Sequence, residues 1–201
     1  GLSLDIARAP REARRVISII IPTLNSALSL RRSLPPLVSG VAAGIVCELI
    51  LADAGSADAT AQIADASGAT MIRAALGEGR QSMAGAVVAR GDWFLFLHAD
   101  AMLEPQWVDE ASRFITGDKN RAGVFGYAVE GDDLGARMRE FWRALRTSVF
   151  KAPLRAQGLL ISRALYESVG GYSMITGAHR DLLERLGSRW KVLRSRAVVP
   201  A

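Results

Sequence analysis

His98 and Asp100 stand two residues apart at the end of an apolar run, FLFLHADAML over residues 94–103. An imidazole and a carboxylate in that position suit two descriptions. They can be polar groups at a strand terminus reaching water, or a carboxylate and a second donor that hold a hard or borderline divalent cation. Two other apolar runs close in the same manner: residues 16–21 end in Pro22-Thr23-Leu24-Asn25, and residues 48–52 end in Asp53-Ala54-Gly55-Ser56. Open parallel sheets bind ligands outside the carboxyl ends of their strands. If the three runs are parallel neighbours, their polar ends share one edge, and this convergence favours a site.

The surrounding pattern supplies those strands. Residues 16–21, VISIII, are β-branched and nearly continuous, as a strand buried on both faces requires. Asn25-Ser26 then offers a cap for a helix ending near Leu37. Residues 48–52 form a second buried strand, with Ser56 or Asp58 capping a helix over 59–66. A short strand at 70–73, a loop at 77–79 and a helix at 80–89 lead to the strand at 92–97. A helix led by Pro105, a half-exposed strand at 124–129, a long basic amphipathic helix at 134–150 and an extended segment at 158–162 follow. Strands alternating with helices imply an α/β domain whose central, mostly parallel sheet is flanked by helices. Residues 1–14 read as a loose arginine-bearing leader and 15–201 as one domain.

Composition narrows the function. The 201 residues are 50% hydrophobic and 22% charged, a globular balance. The net charge of +5 favours anionic partners. Aromatics are only 6% and show no basic-aromatic interleaving, so a phosphate-bearing small molecule is preferred over nucleic acid. Cys47 is the single cysteine, which excludes an internal disulfide and points to a reducing, cytoplasmic setting. The weakly polar stretch at 34–51 is broken by Pro35, Pro36 and Glu48 and makes a poor membrane span. A dinucleotide-binding Rossmann domain needs G-x-G-x-x-G after its first strand. This chain has Pro-Thr-Leu-Asn there, and Gly77-Glu78-Gly79 comes too late.

Four segments in order, VISIIIPTLNSALSL, ELILADAGSADAT, GRQSMAGAVVARGDWFLFLHAD and QGLLISRALYESVGGY, resemble family 2 glycosyltransferases of the GT-A fold. The resemblance runs from about residue 16 to about residue 193. It implies a single GT-A-like, Rossmann-related domain that transfers a sugar, with inversion, from a nucleotide diphosphate donor, commonly UDP-linked. It assigns Pro22, Thr23 and Asn25 to the nucleotide pocket, Asp53 to the base, and Asp100 to the last acid of a D-x-D motif binding Mn2+ or Mg2+. His98 stands where the first acid is usual, and a hydrogen bond to ribose or phosphate is slightly favoured for it over metal ligation. Asp58 falls on the family's spacing but suits a helix cap first. Downstream of Gly170-Gly171-Tyr172, Asp181 matches the base of a Glu-Asp pair. Arg180 replaces the glutamate there, and Glu184, one turn later, is a possible substitute. A surface helix of alternating charges describes the same residues nearly as well. Gln157 matches part of an acceptor-side signature in which Ala156 replaces the acid. Arg80 suits a pyrophosphate, since guanidinium matches phosphate oxygens bidentately.

Two other classes compete. A nucleotide-sugar-binding or regulatory module without catalysis would explain the departures at His98, Ala156 and Arg180. A nucleotidyltransferase on a related fold would need a glycine-rich loop after the first strand, which Pro22-Thr23-Leu24-Asn25 does not provide. The helix at 134–150 surrounds Met138, Phe141, Trp142, Leu145, Val149 and Phe150 with arginines. Packing on the sheet is its first reading. Docking on an anionic membrane that carries a lipid-linked acceptor is the second.

Overall fold

The central strand, β1 (Ile17–Thr23), carries ISIIIPT and is buried along almost its whole length, because parallel neighbours and helices cover it on every side. Its partners are β2 (Val46–Asp53) and β4 (Trp93–Phe96), both parallel to it, in the register Ile19↔Leu49 and Ile19↔Leu95. Strand β3 (Thr70–Arg73) extends the sheet beyond β2, again parallel. These residues belong to a computed structural model in which 16–129 and 158–200 are described. The leader at 1–14 and the basic helix expected at 134–150 lie outside the described residues.

Beyond β4 the sheet changes sense. Strand β7 (Leu159–Ser162) runs antiparallel to β4, and β6 (Ala122–Val129) antiparallel to β7. Strand β8 (Trp190–Val199) is parallel to β6, and β5 (Met102–Leu103) closes the edge antiparallel to β8. The full order is β3-β2-β1-β4-β7-β6-β8-β5. The expected mostly parallel centre is there, within a mixed sheet of eight strands among the described residues.

Helices cover both faces. On one side, α1 (Ala27–Ser33), α2 (Val38–Ala42), α3 (Thr60–Ala66) and α5 (Trp107–Ile115) pack over Ile19, Ile21, Leu51 and Leu95, with Trp107 and Phe114 filling the layer. On the other, α4 (Glu78–Val88), α6 (Arg163–Ser168) and α7 (Ala178–Leu186) cover Ile20, Ile50, Phe94 and Phe96. There Phe94, Phe96, Tyr166 and Tyr172 form an edge-to-face cluster, with Phe96 and Tyr172 centroids 4.8 Å apart.

Four expectations need correcting. Strand β6, expected to be half-exposed, is buried at Ala122, Val124, Phe125 and Ala128, because β7 and β8 pair with both its edges inside the sheet. The helix predicted to run to Leu37 breaks after Ser33 into a 3-10 turn at Pro35–Leu37 and a separate α2, since Pro35 and Pro36 cannot continue an α-helical ladder. The loop predicted at 77–79 is already helical from Glu78. Gly79 permits this, because a Cβ there would collide with the Ser173 carbonyl and with Ala178 where α4 meets the start of α7. Pro105 precedes its helix rather than leading it, since Gln106 is the cap and α5 begins at Trp107.

Candidate active site

The carboxyl ends of β1 and β2 are laced together. Asp53 is 5% exposed. Its Oδ2 accepts the backbone N–H groups of Gly55 and Ser56, both at 2.8 Å, and its Oδ1 accepts the hydroxyls of Ser56 at 2.5 Å and Thr23 at 2.9 Å. Burial by itself pushes this carboxyl up. The hydrogen bonds from Ser56, Gly55 and Thr23 outweigh that and hold it below the usual aspartate range. Asn25 has a φ of 50°, a left-handed conformation that asparagine tolerates when its side chain bonds nearby backbone. Its Oδ1 accepts the Ala57 N–H at 2.8 Å, while its own N–H donates to Ser56 Oγ at 2.7 Å. Asp58 accepts from Thr60 N–H and, across the gap, from Ala27 N–H, each at 3.0 Å, so it tethers the first turns of α1 and α3 together. The buried Gln81 completes the seam from below by donating to the Thr23 and Ala52 carbonyls at 2.9 and 2.8 Å.

Above this seam lies a cleft of about 330 Å³ lined by Pro22, Thr23, Asn25, Ser29, His98 and Asp100, among others. Parallel pairing of β1 with β4 puts the two polar ends side by side. His98 Nδ1 lies 3.2 Å from Asp100 Oδ2, with both side chains about 40% exposed. Ser29 Oγ, on α1, donates to Asp100 Oδ1. His98 Nδ1 also accepts the Asp100 N–H at 3.3 Å, which engages its one lone pair. Asp100 Oδ2, on the side of the carboxylate away from Ser29, is the oxygen placed to take a cation, with the imidazole beside it. A carboxylate with a neighbouring imidazole suits a borderline ion such as Mn2+, and so few protein donors leave positions for phosphate oxygens and water. Among the described residues no group of three or more His, Cys, Asp and Glu forms a self-sufficient metal cage.

Other predicted residues lie apart from this cleft. Asp53 sits beneath it, turned into the seam. Arg80 lines a neighbouring pocket of about 360 Å³ with Leu76, Gly77, Met174 and Ile175, and Glu78 borders both spaces. Asp181, in the first turn of α7, receives Ser173 Oγ at 2.9 Å and Arg185 Nη2 at 2.7 Å on Oδ2. The Arg185 hydrogen bond, with that of Ser173, lowers its carboxyl below the ordinary range. Arg185 also donates to the Val169 and Gly171 carbonyls and thereby sets the Gly170-Gly171 turn. Glu184 pairs with Arg180 at 2.9 Å on the exposed side of α7. Gln157 lies outside the described residues.

Sequence reasoning passed over Ser29, gave Gln81 no role and missed His179. The last had a signal: His179, Leu182, Leu183 and Leu186 recur at helical spacing, so the imidazole belongs to the inward face of α7.

A two-sided sheet whose parallel half carries a polar cleft at its strand ends, extended by an antiparallel half, is the architecture of GT-A glycosyltransferases. Residues 18–186 match the family model described as Glycosyl transferase family 2, and the chain belongs to that family. Among solved structures, glucosyl-3-phosphoglycerate synthase from Mycobacterium tuberculosis, in complex with Mn2+, uridine-diphosphate-glucose and phosphoglyceric acid, is similar at a TM-score of 0.64 and 25% identity, covering 94% of this chain and 72% of that one. TarS of S. aureus shares the fold at a TM-score of 0.65 and 17% identity, covering 92% and 60%. No curated protein matches.

Proposed function

We propose that the chain is an inverting, metal-assisted glycosyltransferase that moves a sugar from a nucleotide diphosphate, UDP-linked, to a hydroxyl acceptor. The observation that carries this reading is the joining of His98 and Asp100 with the 22–25 loop around one cleft. The binding of UDP-glucose and Mn2+ by the mycobacterial synthase supports the choice of donor and metal. The assignments of Pro22, Thr23, Asn25, Asp53, His98 and Asp100 to donor binding belong to this proposal, as do Arg80 to phosphate and Gln157 to the acceptor side.

Each residue's part follows from its surroundings. Asp53 acts through shape, since its four hydrogen bonds hold the 53–58 loop against Asn25 and Thr23. A divalent cation held by Asp100, with His98 Nδ1 beside it, would stabilise the negative charge that develops on the leaving diphosphate. Ser29 fixes the Asp100 carboxylate through Oδ1 and leaves Oδ2 toward His98. Asp181 is the proposed base for the acceptor hydroxyl. Ser173 and Arg185 both bind its Oδ2, so Oδ1 keeps its lone pairs, and the lowered carboxyl is ionised at neutral pH.

Calorimetric titration with UDP, GDP and TDP, each with and without Mn2+, tests the reading. UDP should bind most tightly, and Mn2+ should strengthen it. Asp100→Asn should remove the Mn2+-dependent part, about 100-fold in affinity, while the variant stays folded. An unchanged Mn2+ dependence would rule the clamp out.

The Arg185 bond to Asp181 favours a second reading, a binding module without turnover. UDP-sugar consumption at saturating Mn2+ separates the two. Docking on anionic lipid rests on the arginines of residues 134–155. Vesicle co-sedimentation that needs anionic lipid and weakens with salt is its test.

A further inference from the structure

No part of the proposed transfer uses the Tyr172–His179 pair, a buried polar contact near the cleft. His179 is 7% exposed, and its Nδ1 lies 2.8 Å from the Tyr172 hydroxyl. Its Nε2 is buried without a hydrogen-bond partner. Buried polar atoms are almost always satisfied, so an orphan nitrogen calls for a ligand or a water. A crevice of about 10 Å³ lies against this ring, and it shares Pro22, Glu78 and His98 with the larger cleft. Leu97 and Phe96 form its apolar wall. The space admits a single oxygen-sized group.

The chemistry of that group follows from the pair. Burial keeps the Tyr172 hydroxyl protonated, and it lowers His179 to about 4, so the imidazole is neutral at physiological pH. One hydrogen joins Tyr172 Oη and Nδ1. If tyrosine donates it, Nε2 carries a hydrogen. If Nδ1 donates it, Nε2 is a bare acceptor. A phosphate oxygen satisfies only the first arrangement and a metal ion only the second. A hydroxyl, donor and acceptor together, satisfies both.

Resting on the nucleotide-sugar reading, we propose that His179 Nε2 binds one hydroxyl of the transferred sugar, making His179 a donor-specificity residue with Tyr172 as its positioning partner. The crevice opens beside His98, where the sugar adjoining a diphosphate would lie. Its apolar wall disfavours a group larger or more charged than a hydroxyl.

The test compares UDP with the tightest-binding of UDP-glucose, UDP-galactose and UDP-N-acetylglucosamine, all with Mn2+, by calorimetry. His179→Phe should weaken the UDP-sugar about tenfold while changing UDP by no more than about twofold. Among deoxy analogues of that sugar, one should bind wild type about tenfold worse and lose nothing more in the variant. Tyr172→Phe, which keeps the imidazole but frees it, should cause a loss of about threefold confined to the sugar nucleotide. It serves as the deciding variant if His179→Phe does not fold. An unaltered ratio of UDP-sugar to UDP affinity in the folded variant would overturn the assignment and leave a water in the crevice. Equal losses for both ligands would overturn it in favour of a purely structural pair. Failure of wild type to bind UDP would instead remove the nucleotide-sugar reading, and this inference with it.

Discussion

At the ends of β1 and β2, the aspartates have both carboxylate oxygens bonded within the protein. Asp53 takes four hydrogen bonds, and Asp58 spans two helices. At the start of α7 the polar groups are held by one atom only. Asp181 is gripped through Oδ2, and His179 through Nδ1. The first region has its polarity committed to shape and can present a rigid wall of backbone and ring edges. The second keeps one atom of each side chain uncommitted while fixing its direction, which is the arrangement needed to handle a proton or read a hydroxyl. Substitutions should therefore act on stability in the first region and on turnover or selectivity in the second.

The widest separation is expected within α7. Asp181→Asn keeps an oxygen for Arg185 and Ser173 but removes the base, and should lower kcat about 1,000-fold with little change in melting temperature. Glu184→Gln breaks only an exposed helical ion pair, about 0.5 kcal/mol, and should leave kcat within about twofold. Steady-state kinetics on the two variants decide the assignment. If Glu184→Gln is the inactive one, the base sits a turn further along.

Next in size is Asp53→Ala, which strips four hydrogen bonds from the seam and should cost about 3 kcal/mol in urea unfolding. UDP affinity should then fall through the loosened loop, and stabilising co-solvent should restore part of it. Full stability together with lost UDP affinity would instead put Asp53 in direct contact with the nucleotide, and the contrast between the regions would fail.

An effect of similar size, spread over a pH range, is expected from His179. His179 has its folded value lowered to about 4 from an ordinary 6.5, so between those values the unfolded chain binds more protons. Stability should be full above pH 6.5 and decline as pH falls toward 4, by up to about 3 kcal/mol. His179→Phe should flatten that slope. Asp53 and Asp181, both lowered, act later: their contribution is present above the ordinary aspartate range and is lost as pH falls through their lowered values. Chemical denaturation from pH 7 to pH 4.5 isolates the histidine.

The parallel half of the sheet was legible because its cues are local. A β-branched run such as ISIIIPT needs no distant partner to be recognised, and a polar cluster closing it marks a strand end wherever the strand goes. Asp58 reads as a cap from its spacing alone, although only the fold gives it Ala27 as a second donor. Strand β8 was missed because WKVLRSRAVV scatters arginines through an apolar pattern. Its register shifts against β6, and Glu110 of α5, which accepts the Arg194 and Ser195 N–H groups there, is 84 and 85 residues away.

Residue type and spacing by themselves determined the class of sheet, the three strand ends that face one edge, and the placing of His98 beside Asp100. These follow from periodicities of two and 3.6 residues and from what terminates them. Tertiary structure alone decided that Asp53 turns inward, that Arg80 faces a different pocket from His98, and that His179 meets Tyr172 with one nitrogen left over. The first follows from the pairing of β1 with β2, the second from the meeting of α4 with the start of α7, and the third from the turn that leads into α7. Residue spacing shows that Tyr172 and His179 are neighbours in sequence, but the 2.8 Å contact between them needs the Gly170-Gly171 turn and the burial of α7 against the sheet, which periodicity does not encode.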